Sequence, residues 1–232
     1  MKLAIMQPYF FPYPGYFQLI AAVDQFIVYD NIKYTKKGWI NRNRMLQNGK
    51  DVVFSLPLKS ESNALNVCER ELAEDFNREK LLNQFKGTYR QAPYFSQTFP
   101  LVEQIVQYSD SNLFRFLHHS IVRTCKHLEI TTEIKISSDI VIDHELKSQD
   151  RVLALCEAVG ATNYVNAIGG VPLYSRKSFQ DKCIELKFIQ STPLVYMQFG
   201  EGFVPWLSII DVMMFNSIEK IQTWISTGYE LI

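Results

Sequence analysis

The densest run of chemistry-bearing side chains lies between residues 33 and 50. There Lys33, Lys36, Lys37, Arg42, Arg44 and Lys50 occur with no acid among them and are interleaved with Tyr34 and Trp39. Guanidinium groups offer forked donors that fit phosphate oxygens, and aromatic faces stack on bases or sugar rings. Asn41 and Asn43 alternate with the two arginines, setting hydrogen-bonding groups for hydroxyls beside the cations. Lys37, Trp39, Asn41, Arg42, Asn43 and Arg44 are therefore candidate binders of a small anionic ligand, a nucleotide or nucleotide-sugar. A solvated positive loop with no ligand is the alternative.

Three further places carry chemistry. The stretch Pro8 to Pro14 holds three prolines and four aromatics, and Gly15 opens a helical composition. Prolines fix the loop's φ angles, and the helix start that follows presents free N–H groups to an anion. Here Gln7 is a candidate binder and Tyr16 a candidate catalytic residue. Gly169 and Gly170 follow an apolar strand pattern and let backbone approach a ligand, or simply make a turn. Asp211 is a lone carboxylate in the apolar run Phe203 to Met214, so it must find a partner; it serves as a general base or as a tether.

The elements that must position these residues follow from periodicity. Apolar runs over 3–6 and 25–29 read as strands flanking a helix that begins near Gly15, a β-loop-α-β unit. Further strands are predicted over 51–58, 65–72, 133–136, 140–142, 164–167 and 184–189. Helices are predicted over 77–89, 97–108, 112–128, 149–159, 175–182, 207–215 and 218–227, with Ser148 as an N-cap. Strands alternating with helices predict an α/β, Rossmann-like protein with a mostly parallel sheet, a single domain over 1–232 with a mainly helical insertion at about 76–130. In such sheets ligands lie outside the carboxyl ends of the strands. The Gln7–Tyr16 loop and the basic segment both leave strands at that end.

Composition narrows the function classes. The 232 residues carry 24 Lys+Arg against 24 Asp+Glu, so no whole-molecule field draws the chain to nucleic acid or anionic membrane. The neutrality is an average, since residues 199–232 hold one lysine against four acids. No secretory signal or bilayer-length apolar window is written, which predicts a cytoplasmic protein without membrane insertion. The four cysteines form no CxxC pair, and the four histidines have neither HExxH spacing nor a carboxylate cluster, so no metal site is expected. No feature names a cofactor, and homo-oligomerisation stays open.

Tyr13-Pro14-Gly15-Tyr16 stands where adenylyl- and cytidylyl-transferring enzymes carry a His-x-Gly-His motif. That resemblance is topological. Tyrosine, with a pKa of about 10, does not reproduce imidazolium contacts, so it implies a degenerate, nucleotide-binding relative rather than the usual nucleotidyl transfer. A broader resemblance spans the chain. Met6 to Phe17, Trp39 to Arg44, Ile168 to Tyr174, and Phe203 to Asp211 together resemble the WbqC-like family. The resemblance implies a role in bacterial polysaccharide and O-antigen biosynthesis. The activity it implies is a transferase that attaches an aminoacyl or acyl group to a nucleotide-activated amino sugar. A nonenzymatic protein that binds a nucleotide-sugar or a partner is the second reading.

Overall fold

The computed structural model describes residues 1–62, 64–200 and 202–232. Its centre is a six-stranded sheet of order β5-β2-β1-β6-β7-β8. The strands are β1 (Lys2–Met6), β2 (Gln25–Val28), β5 (Glu133–Ile136), β6 (Asn163–Ala167), β7 (Glu185–Ser191) and β8 (Tyr229–Leu231). All neighbours pair in parallel except β7 and β8. Leu3, Ile5, Ile27 and Tyr164 face one side of the sheet, and Ala4, Val28 and Val165 the other. Strands buried on both faces read as continuous apolar runs, which is why 3–6 and 25–29 stood out in the sequence.

On one face α5 (Ser148–Ala158) and α6 (Arg176–Gln180) bury Val152, Leu155, Cys156 and Phe179 against the sheet. On the other face lie α1 (Pro14–Ala21), α7 (Ile209–Phe215) and α8 (Ile218–Thr227). Between β2 and β5 the chain inserts the antiparallel hairpin β3 (Arg42–Gln47) and β4 (Lys50–Ser55). Three helices follow: α2 (Arg78–Tyr89), α3 (Phe95–Val106) and α4 (Leu113–His127). Phe54, Phe85 and Phe116 from the insertion and Phe10, Phe11 and Phe17 from the β1–α1 segment belong to one buried cluster. The insertion thus shares a core with the body.

Several expectations are revised. Residues 42–47 form a strand that the basic composition concealed. The strand expected over 51–58 ends at Ser55, ahead of Pro57, which has no ladder donor. The strand expected over 65–72 is a 3₁₀ turn, Val67–Glu69, closed by a capping box between Asn66 and Glu69 and flanked by isolated bridges. Residues 140–142 follow a second 3₁₀ turn, Ser137–Asp139, and pair with nothing as a strand. Ser148 is the first helical residue, at φ 51°, and Lys147 takes the N-cap position.

The start of α1 is held by a close contact. A Cβ on Gly15 would sit 2.4 Å from Cε2 of the Tyr13 ring, so only glycine lets that phenol lie over the helix's first turn. Gly15→Ala is expected to cost about 1–3 kcal/mol by overpacking, lowering Tm by about 2–4 °C per kcal/mol. In a Tyr13→Ala background the same change is expected to gain about 0.5–1 kcal/mol through helix propensity. Urea unfolding of the four-protein cycle checks this; equal costs in both backgrounds would show that the ring is not what the methyl meets.

Candidate functional site

The sheet changes direction between β1 and β6: from β1 the chain builds outward to β2 and β5, and from β6 outward to β7. At this switch point the chain leaves β1 and β6 toward opposite faces, the place where ligands of such sheets lie. The β1 loop contributes Gln7, whose Nε2 donates to Tyr9 Oη at 2.6 Å. Tyr16 Oη donates to the Gln7 carbonyl at 3.2 Å, and the Tyr9 and Tyr16 rings meet edge to face at 5.6 Å. Burial pushes the phenols of Tyr9, Tyr13 and Tyr16 upward, so all three are neutral hydrogen-bonding groups. Tyr16 is only 2% exposed and braces the loop from below. Tyr9 and Tyr13 are the half-buried phenols, and neither was among the residues nominated from the sequence for the site.

Across the switch point, Asn166 Nδ2 donates to Tyr164 Oη at 2.6 Å and lies 3.4 Å from Tyr174 Oη. Gly170 is needed here, because a Cβ would fall 2.5 Å from Asn166 Oδ1. Gly169 is exposed with open space around its Cα. Next to β1 on the other side, the ends of β2 and β5 bring together residues far apart in sequence. Ser137 Oγ lies 2.8 Å from Asp30 Oδ1 and 2.6 Å from Asn31 Oδ1, and Ser138 N–H donates to Asp30. His144 Nδ1 faces two donors, Asn31 Nδ2 and the Arg151 guanidinium, while Nε2 lies 3.0 Å from the Ile140 carbonyl. That pattern puts the ring proton on Nε2. Arg151 also stacks on Tyr29 at 5.0 Å. The sequence signal for this cluster was the polar pair Asp30-Asn31 directly after a buried strand.

In the basic segment the strand period sorts the residues. Asn43, inward, donates Nδ2 to the Phe11 carbonyl at 2.8 Å, with the Phe10 carbonyl 3.3 Å away. Asn41 donates to the Leu56 carbonyl and accepts from Tyr34 Oη. Both asparagines therefore serve the fold. Arg42 and Arg44 point the other way and lie over the Trp39 ring, 5.8 and 5.1 Å from its centroid. Arg42 Nε donates to the Gly38 carbonyl, and Arg44 pairs with the exposed Asp51 at 3.1 Å. Trp39 is 42% exposed, and Lys37 is exposed beside it. The hydrogen bond from Phe10 N–H to the Ile40 carbonyl ties this patch to the β1 loop.

Asp211 lies in the first turn of α7, entirely buried. Its Oδ1 accepts from Tyr196 Oη at 2.6 Å and Gln198 Nε2 at 2.9 Å, and its Oδ2 from Tyr89 Oη at 2.9 Å. Burial raises its pKa while these donors oppose the rise. Ser208 N–H bonds the Arg44 carbonyl, so the motif around Asp211 meets the basic strand through backbone while the carboxylate faces inward. Of the two roles open to Asp211, this geometry fits the tether. Among the described residues no group of three His, Cys, Asp or Glu side chains is placed to hold a metal ion, and no helix is long and apolar enough to cross a membrane.

A three-layer, mostly parallel α/β sheet with polar loops converging on its switch point is the Rossmann-like class. Within that class the chain belongs to the WbqC-like protein family, whose model matches residues 7–223. It is 28% identical over 220 residues, 93% of each chain, to the uncharacterized protein Rv1507c of Mycobacterium tuberculosis (strain ATCC 25618 / H37Rv). No solved structure matches the chain.

Asp211→Ala is expected to leave the Tyr89 and Tyr196 hydroxyls without their acceptor and to cost about 2–5 kcal/mol, and Asp211→Asn about 1–3 kcal/mol. The raised carboxyl also fixes a sign: the wild type loses stability as pH rises from about 4 through the folded-state pKa. In Asp211→Asn that pH-dependent loss is expected to disappear. Urea midpoints from pH 4 to 7 measure both effects; a neutral Asp211→Ala would remove the tether.

Proposed function

We propose that the protein is a cytoplasmic transferase of bacterial surface polysaccharide (O-antigen) assembly that adds an aminoacyl or acyl group to a nucleotide-activated amino sugar. The observation that carries the reading is the exposed Trp39 ring flanked by Arg42 and Arg44 and tied to the β1 loop. Two guanidinium groups beside a π face suit a diphosphate next to a ring. Lys37 adds charge at the rim. Gln7 and the Asn166–Gly170 turn supply polar groups for sugar hydroxyls at the switch point, with Tyr9 and Tyr13 as neutral donors.

In the reaction, the neutral sugar amine attacks the donor carbonyl, an amide bond forms, the bond to the donor's leaving group breaks, and the amine proton passes to that departing group or to solvent. The Asp211 carboxylate is sealed from solvent with its oxygens held by Tyr89, Tyr196 and Gln198, and the raised phenols are already protonated at neutral pH, so neither is placed to take that proton. This favours an amine that arrives unprotonated. It also keeps a second reading alive, a nonenzymatic nucleotide-sugar binder.

Thermal-shift measurements with a series of nucleotide-sugars test the pocket. At a ligand concentration 100-fold above Kd the expected stabilisation is about 2.7 kcal/mol, or about 5–10 °C in Tm. Arg42→Ala is expected to abolish it, and high salt to weaken it. No response to any nucleotide-sugar would sink the reading. Binding without any product by mass spectrometry, across acyl and aminoacyl donors, would favour the nonenzymatic one.

A further inference from the structure

A second concavity lies beyond the start of α1, walled by Tyr13, Pro14, Leu194, Phe203, Trp206 and Trp224, and encloses about 120 Å³. Two of its polar neighbours are already engaged, while the buried Trp224 indole N–H has no partner. Tyr196 Oη bonds Asp211, and Thr192 Oγ1 bonds the Gly228 carbonyl. The slot is mainly apolar with one free indole donor, close in size to apolar cavities of about 150 Å³ that take up benzene.

Trp206 marks it as more than a packing gap. The indole is 66% exposed, so burial does not explain its presence, and its backbone is left-handed, at φ 62°. A bulky residue held in that region and left in solvent is strain without a folding return, the pattern of a ligand clamp. Its ring stands 6.3 Å from Tyr13 at 59°, and Phe203 and Trp224 complete the aromatic lining. Such faces prefer another ring, offset or edge-on, to a saturated group of equal size.

We propose that this slot binds a single apolar aromatic ring carried by a small-molecule ligand. The inference stands apart from the nucleotide-sugar reading and shares only Tyr13 with it.

Benzyl alcohol and cyclohexylmethanol differ only in ring saturation and serve as probes of the intact protein, with binding followed by ligand-observed NMR. Benzyl alcohol is expected to bind saturably and about tenfold more tightly than cyclohexylmethanol. Trp206→Asn keeps a residue that tolerates the left-handed backbone. It is expected to weaken benzyl alcohol about tenfold while leaving the urea midpoint unchanged. Leu194→Trp, which fills the slot, is expected to abolish binding. Arg42→Ala is expected to leave it intact.

Equal binding of the two alcohols, or no saturation, overturns the proposal. So does a Trp206→Asn protein that binds normally, or one that loses stability as a core variant would. If nucleotide-sugars fail to bind but benzyl alcohol behaves as expected, the earlier reading falls and this one holds.

Discussion

One carbonyl organises this molecule. The Phe11 oxygen receives Asn43 Nδ2 and Ser208 Oγ, each at 2.8 Å, at a residue whose φ is 43°. On either side, Phe10 N–H reaches the Ile40 carbonyl and Ile209 N–H the Pro12 carbonyl. A left-handed phenylalanine costs on the order of 1–3 kcal/mol, and a buried carbonyl without donors costs a similar amount. The two side-chain donors and the burial of both phenylalanine rings offset that strain. What the turn achieves is placement: it joins the loop that carries Gln7 and Tyr9 to the start of α1 beneath Tyr13. The three sequence motifs richest in unusual residues are thus the three sides of one joint.

Asp211 fastens a second layer to that joint. Ser208, which grips Phe11, caps the helix in which Asp211 occupies the first turn, where the helix dipole favours a carboxylate. Through Tyr89 the carboxylate reaches α2, and the Tyr89 hydroxyl accepts from Leu46 N–H of β3. Through Tyr196 and Gln198 it holds the segment that carries Phe203 and Trp206. A buried charge is tolerable only with donors aimed at it, and here the donors come from separate parts of the chain. The aromatic slot and the arginine strand are consequently braced by the same node.

Much of the scaffold was legible in the sequence because it rests on local signals. The long helices α2 to α4 and the run Ile218–Thr227 follow apolar spacing, and the central strands are short apolar runs. The misses share a cause. Asn41-Arg42-Asn43-Arg44 alternates strictly, the mark of a half-buried strand, yet its residue types drew attention to charge instead of period. The two arginines lie over the Trp39 ring, while Asn43 turns inward to the Phe11 carbonyl and Asn41 to the Leu56 carbonyl. Residues 65–72 alternate well enough for a strand, but the Asn66–Glu69 capping box wins locally. Asn31, His144 and Arg151 meet across more than a hundred residues, a juxtaposition no window of sequence displays. The exposed Trp206 lies in an apolar run that reads as core until its backbone angle is seen.

The bond from Ser208 to Phe11 spans 197 positions, and this separation bears on how the protein is made. β1 is made before the other strands of the sheet yet occupies its middle, so one of its edges stays open until β6 has been synthesised. The strained turn after it cannot be secured by the Ser208 hydroxyl until the last helices are in reach. Translation therefore leaves that turn unsecured until Ser208 has emerged, a high contact-order route that folds slowly and exposes strand edges on the way. A chain aborted before residue 208 lacks the latch for that turn.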